Sequence, residues 1–195
     1  MKPARVVTEK MRFAFYVALI GFVAPAFSPS MRAEDGEFKF WNEAPQLTWG
    51  DFKMAPPPNQ KFSAKTWVGF DVSGRCVGGR FFFDVSTFFN RDSSWVKPVK
   101  GIDKLLRHEQ GHFDLAEISA RELRRSLQEL PEPCADIEQM KKNVNVLTTY
   151  SRMQLGIAQS DYDKETRNGS NSKKQKKWDE KIAQRLAELA EYMQQ

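Results

Sequence analysis

Histidine is almost absent from this chain, with two residues in 195, at positions 108 and 112. Cysteine is as scarce, with only Cys76 and Cys134. Neither belongs to a CxxC pair, which argues against cysteine-ligated zinc. No internal repeat is visible, so repeat architectures are excluded. No apolar run reaches the roughly 20 residues of a membrane-spanning helix. Charge of one sign is also nearly missing. The formal charge is +5, but Lys2, Arg5, Lys10, Arg12 and Arg32 against Glu9 place four of those units in the first 33 residues. A body near +1 carries no electrostatic footprint for nucleic acid. With 41% hydrophobic and 28% charged residues, the chain is neither disordered, collagenous nor multi-span.

The longest apolar run, Phe13–Phe27, follows Lys10 and Arg12. Small residues fall at its end, Ala24 and Ala26, and after it at Ser28, Ser30 and Ala33. This pattern predicts a signal peptide over residues 1–33, with an uncleaved anchor as the alternative. The body, residues 34–195, is expected to be one domain, periplasmic or secreted, with no stable membrane insertion after cleavage. In an oxidising compartment Cys76 and Cys134 form a candidate disulfide. Closing so long a loop contributes about 4 kcal/mol in the chain-entropy picture.

The body reads as two halves. From Glu37 to about Val99, EFKFW, QLTWGDF, FSAKTWVGFDV and GRFFFDVSTFF are aromatic and β-branched runs separated by breakers such as MAPPPNQ, the signature of strands. Trp41, Trp49, Trp67 and Trp95 are read as core; basic residues between them are too sparse for nucleic-acid stacking. From Gly101 onward the pattern is helical. One helix is expected from Ile102 or Asp103 to about Leu130, stopped by Pro131 and Pro133. A second is expected from about Asp136 to Gln159. A polar connection, SDYDKETRNGSN, then leads to a third from about Ser172 to Met193. Trp178, Ile182, Leu186, Leu189 and Met193 would form the inner face of that helix, and KKQKK at 173–177 a solvated one. The predicted fold class is α+β: a small antiparallel or mixed sheet packed on three helices.

Both histidines fall within His108-Glu109-Gln110-Gly111-His112, an HExxH. Two histidines placed at random would lie four apart only about one time in a hundred, before the glutamate is required, so the match is specific. Positions i and i+4 share one face of a helix, so both imidazoles can address one ion. Glu109 is the candidate general base, taking a proton from metal-activated water. It falls near the middle of an apolar stripe formed by Ile102, Leu105, Leu106, Phe113, Ala116, Ala120, Leu123 and Leu127. An inward carboxylate needs a partner, and a metal-water cleft supplies one. Arg107, Gln110, Gly111, Asp114, Arg121 and Arg125 lie on the opposite side. A third protein ligand is expected. Glu117 is on the wrong side of the helix to reach the same ion. The acidic stretch Asp161–Glu165 is the better source, with Asp163 favoured and Asp161, Glu165 and Asn168 as alternatives. Tyr162 is a weaker candidate as a donor to a developing oxyanion.

The sequence resembles a bacterial family of uncharacterised exported proteins described as predicted secreted zinc-dependent proteases. The likeness is carried by LTWGDF at 47–52, SWV at 94–96, LLRHEQGHFDLAEISARELR at 105–124, and YDKETRNG with Gln175 and Trp178 downstream. The resemblance implies a zincin-like metallopeptidase with bound zinc, acting on a peptide or protein substrate. Relatives read YDxETxHG, with histidine where this chain has Asn168. That departure leaves a non-catalytic envelope or interaction protein on the same scaffold as the alternative function.

Overall fold

The computed structural model describes residues 36–42, 44–98, 102–130, 134 and 136–194; the expected signal peptide lies outside them. In chain order come β1 (Phe38–Phe40), β2 (Ala64–Lys65), β3 (Val68–Val77), β4 (Arg80–Asn90) and β5 (Trp95–Val96). Then follow α1 (Ile102–Gln128), α2 (Ile137–Thr166) and α3 (Ser172–Glu188). Three-residue 3-10 turns sit at Trp49–Asp51 and Ala190–Tyr192. The fold is α+β, with the sheet in the N-terminal half and three helices in the C-terminal half.

The main sheet is antiparallel, in the order β1–β4–β3, and β2 pairs with β5 in a separate two-stranded ribbon. Val77 pairs with Arg80, so Gly78-Gly79 is a two-residue hairpin turn. Alternation along the hairpin sends Phe70 and Val72 of β3 and Phe81 and Val85 of β4 into the core. The FSAKTWVGFDV run is broken at Thr66-Trp67 into β2 and β3. QLTWGDF is not a strand. Thr48 starts a 3-10 turn in which the Asp51 carboxylate accepts from the Thr48 amide at 2.7 Å and its hydroxyl at 2.9 Å. Asp51 is buried and ion-paired with Lys39 and Arg91. A local capping preference and a buried ion pair thus outweigh the aromatic composition.

α1 is the central element, packed against the sheet and against both other helices. The side expected to face solvent is therefore largely covered. Arg107 and Arg125 are exposed, but Gly111 and Arg121 are buried. Arg121 pairs with Glu117 at 2.8 Å and donates to the Leu186 carbonyl at 2.7 Å. Asp114 accepts from Trp41 Nε1 at 2.9 Å and from Gln110; burial pushes its carboxyl above the ordinary value against those bonds. Where neighbouring elements cover the helix, Arg121 and Asp114 are kept inside by the partners just named.

α2 runs seven residues past the expected end at Gln159. Leu155, Tyr162 and Thr166 are buried, continuing the inner face at helical spacing through a stretch whose composition is polar. Asp161–Glu165 is thus helix and not loop. The connection shrinks to 167–171, and the Asn171 side chain caps α3 by accepting from the Lys174 amide. α3 ends at Glu188, and Met193 is half exposed, outside the inner face. Of the four tryptophans in the β half, Trp95 is buried and the others are partly so. Cys76 and Cys134 form a disulfide between the β3–β4 hairpin and the connection after α1. The Cys134 amide also donates to the Gly79 carbonyl at 2.9 Å.

Candidate metal centre

His108 and His112 lie one turn apart on α1, both buried. Their Nε2 atoms each lie 3.0 Å from the same oxygen, Asp163 Oδ1 of α2. The three donor atoms fall within 4.8 Å of one another. Edges of a zinc tetrahedron with bonds of about 2.0–2.1 Å are about 3.3 Å, so the nitrogen–oxygen spacings approach those of a shared ion. The donor set is two imidazoles and one carboxylate, the three-ligand pattern that leaves a fourth position open.

The hydrogen bonds around His108 decide what its ring offers. Gln175 Nε2 donates to the Tyr162 hydroxyl at 2.6 Å and to Asp179 Oδ1 at 2.7 Å. Those two acceptors orient the amide, so Gln175 Oε1 faces His108 Nδ1 at 3.1 Å as an acceptor. Nδ1 then carries the proton, and a neutral ring presents the Nε2 lone pair to a carboxylate. Two acceptors 3.0 Å apart repel unless a proton or a cation lies between them. An acceptor that holds the proton on one ring nitrogen, and so frees the lone pair of the other, is the setting in which a histidine ligates a metal. His112 Nδ1 is buried and has no partner among the described residues. Asp163 is the anionic member. Burial acts to raise its carboxyl; with imidazole N–H groups and their charge set against Oδ1, that is outweighed and the carboxyl is held well below the usual carboxylate range, a place a cation would take over when the Nε2 atoms offer lone pairs.

Tyr162 braces the centre from below. Its ring stacks on His108 at 4.6 Å between centroids. Its hydroxyl donates to the His108 backbone carbonyl at 3.0 Å and is fully buried, and burial raises its pKa. It is therefore committed to the backbone and does not serve as an oxyanion donor. A Cβ at Gly111 would lie 2.2 Å from the Tyr162 hydroxyl oxygen, so the middle of the HExxH admits Tyr162 only because position 111 is glycine. Gly169, at φ 78°, passes so close to His108 that a Cβ there would lie 2.8 Å from the His108 Cβ.

Glu109 is buried, as its place on the stripe predicts, and accepts from Thr66 Oγ1 at 2.6 Å. Thr66 follows β2, so the ribbon positions the glutamate. Glu117 belongs to another cluster, bonded to Thr87, Arg121 and Arg124. The centre opens into a cleft of about 710 Å³ between the 54–66 segment and the C-terminal end of α2. Asn168 lines the same cleft, with its amide bonded to the Asp163 carbonyl at 2.9 Å.

Gln175 and Thr66 belong to the site without being marked as such by the sequence pattern. Gln175 sits inside KKQKK yet is buried. Its signal was the spacing of Gln175, Trp178 and Ile182, which puts it on the inner stripe of α3. Thr66 had no local signal, because its role depends on how the ribbon docks on α1.

Residues 93–170 match the profile of a family described as bacterial protein of unknown function (DUF922). The matched span holds His108, Glu109, His112 and Asp163, and leaves Thr66 and Gln175 outside. No curated protein and no solved structure matches the chain.

Proposed function

We propose that this protein is an exported zinc-dependent metallopeptidase that hydrolyses peptide bonds in a peptide or protein substrate. The observation that carries the reading is the convergence of His108 Nε2, His112 Nε2 and Asp163 Oδ1 beside the buried Glu109 in an open cleft. These three residues would hold the ion. Zinc would supply polarisation of the scissile carbonyl and a lowered pKa for the attacking water. Glu109 takes the proton from that water and delivers it to the leaving amine. The Thr66 hydroxyl holds Glu109 Oε2, which orients the carboxylate and leaves Oε1 for the proton. Among the described residues β2 has no strand partner besides β5, and Ala64 and Lys65 line the cleft. This free edge suits an extended peptide added as a further strand.

Asn168 favours the alternative, a non-catalytic scaffold that has lost a ligand. Asp163 answers it, because a third donor is present without position 168. Export is supported by the Phe13–Phe27 run and by the Cys76–Cys134 disulfide. No described helix is long and apolar enough to cross a membrane.

The test is metal content and peptide cleavage on protein purified without a histidine tag. One zinc per chain is expected. His108→Ala and His112→Ala should lose it, and Asp163→Asn should bind it more weakly. Glu109→Gln should keep zinc while cleavage of a fluorogenic peptide library falls by about 10²-fold or more. Wild-type protein that takes up no zinc at micromolar concentration would overturn the enzyme reading. Stoichiometric zinc with no cleavage would favour the scaffold.

A further inference from the structure

The cleft walls carry an unbalanced charge. Lys61, Lys65 and Arg167 line the cleft and are exposed. None of the three has an ion pair or side-chain hydrogen bond among the described residues. Among the described residues the only acids on the same walls are Glu109 and Asp163, and both are engaged, by Thr66 and by the two imidazoles. In a body whose net charge is close to zero, this is a local excess of positive charge around a reactive centre. Low-dielectric walls focus such a field.

Arg167 adds a second observation. It is the C-cap of α2, at φ 53° and ψ 51°, with its amide bonded to the Asp163 carbonyl. Helices usually end in this left-handed conformation on glycine or asparagine, because a longer side chain is strained there. The cap therefore fixes where the Arg167 side chain leaves the backbone, on one wall of the cleft and four residues beyond a candidate ligand. Lys65 stands on the opposite wall, next to the Thr66 that holds Glu109. Met54 and Phe62, both exposed, line the cleft beside Lys61.

We infer that the substrates are acidic peptides, with aspartate or glutamate side chains near the scissile bond received by Arg167 on one wall and by Lys61 and Lys65 on the other. Met54 and Phe62 give an apolar neighbour its contact. The inference rests on the peptidase reading of the same cleft. Arginine pairs bidentately with a carboxylate, and lysine acts as a point charge.

The experiment uses peptides that differ only by Glu or Gln at internal positions, each with a free or an amidated C-terminus. Zinc-loaded wild type is scored by kcat/KM, and zinc-loaded Glu109→Gln protein by equilibrium binding. The Glu peptides should be preferred by about tenfold or more at about 0.05 M ionic strength, with the preference shrinking at about 0.5 M. Amidation should not remove it. The double variant Lys65→Gln/Arg167→Gln should bring the preference close to unity. Equal binding of Glu and Gln peptides, or a preference that needs the free C-terminus, would overturn the inference. Selective binding of the Glu peptides by Glu109→Gln, with no cleavage by wild type, would uphold acidic-peptide recognition and overturn the peptidase reading alone.

Discussion

Gly111 stands in the middle of a long helix, where glycine costs about 1 kcal/mol relative to alanine. Helix propensity alone therefore predicts that Gly111→Ala stabilises the protein. The packing predicts the opposite sign. The new methyl would meet the Tyr162 hydroxyl and ring at 2.2 and 2.6 Å, and Tyr162 is fully buried. Displacing it also breaks its bonds to the His108 carbonyl and to Gln175. Overpacking of this kind costs about 1–3 kcal/mol. Gly111→Ala should lower the urea midpoint of the metal-free protein; a raised midpoint would show that Tyr162 does not lie over α1 at this point.

Three elements meet at the candidate metal centre, each with a different share. α1 supplies both imidazoles and Glu109, α2 supplies Asp163 and Tyr162, and α3 contributes Gln175 behind His108. The docking of α3 is therefore linked to the lone pair at His108 Nε2. Gln175→Leu keeps much of the volume and removes the acceptor for Nδ1. Loss of such an outer partner typically weakens metal binding by about 10–100-fold. Competition with a chelator should show that loss while far-UV circular dichroism stays unchanged. Unaltered zinc affinity would mean that His108 is oriented without α3.

At the scale of the whole molecule, the disulfide and the candidate centre lie at opposite ends of α1. Cys76 is beside the hairpin turn, and Cys134 lies in the connection beyond Gln128. His108 sits in the second turn of α1. The bridge closes a separation of 58 residues, worth about 4 kcal/mol in the chain-entropy picture. Cys76→Ala/Cys134→Ala should lower stability by up to that amount, read by denaturation at fixed zinc, because bound metal adds its own stabilisation. Zinc affinity of the folded variant should match wild type. A parallel loss of zinc binding would show that the two ends of α1 are coupled.

Local periodicity and rare residues make part of this protein legible along the chain. HExxH follows from the geometry of one helical turn. The halves separate by strand and helix patterns, and a single cysteine pair leaves one pairing to make. Asp163 was favoured from an acidic stretch expected to be a loop that folds back; it does lie beside both histidines, but from a helix. The rest depends on packing between elements distant in the chain. The helical state of Asp161–Glu165 comes from Tyr162 and Thr166 packing on α1, against a polar composition. The buried state of Arg121 and Gln175 comes from partners distant in the chain. Thr66 met Glu109 only because the ribbon docks across α1. A contact between residues 43 positions apart leaves no mark in either neighbourhood, since each residue type is ordinary where it stands and only the packing gives it a partner.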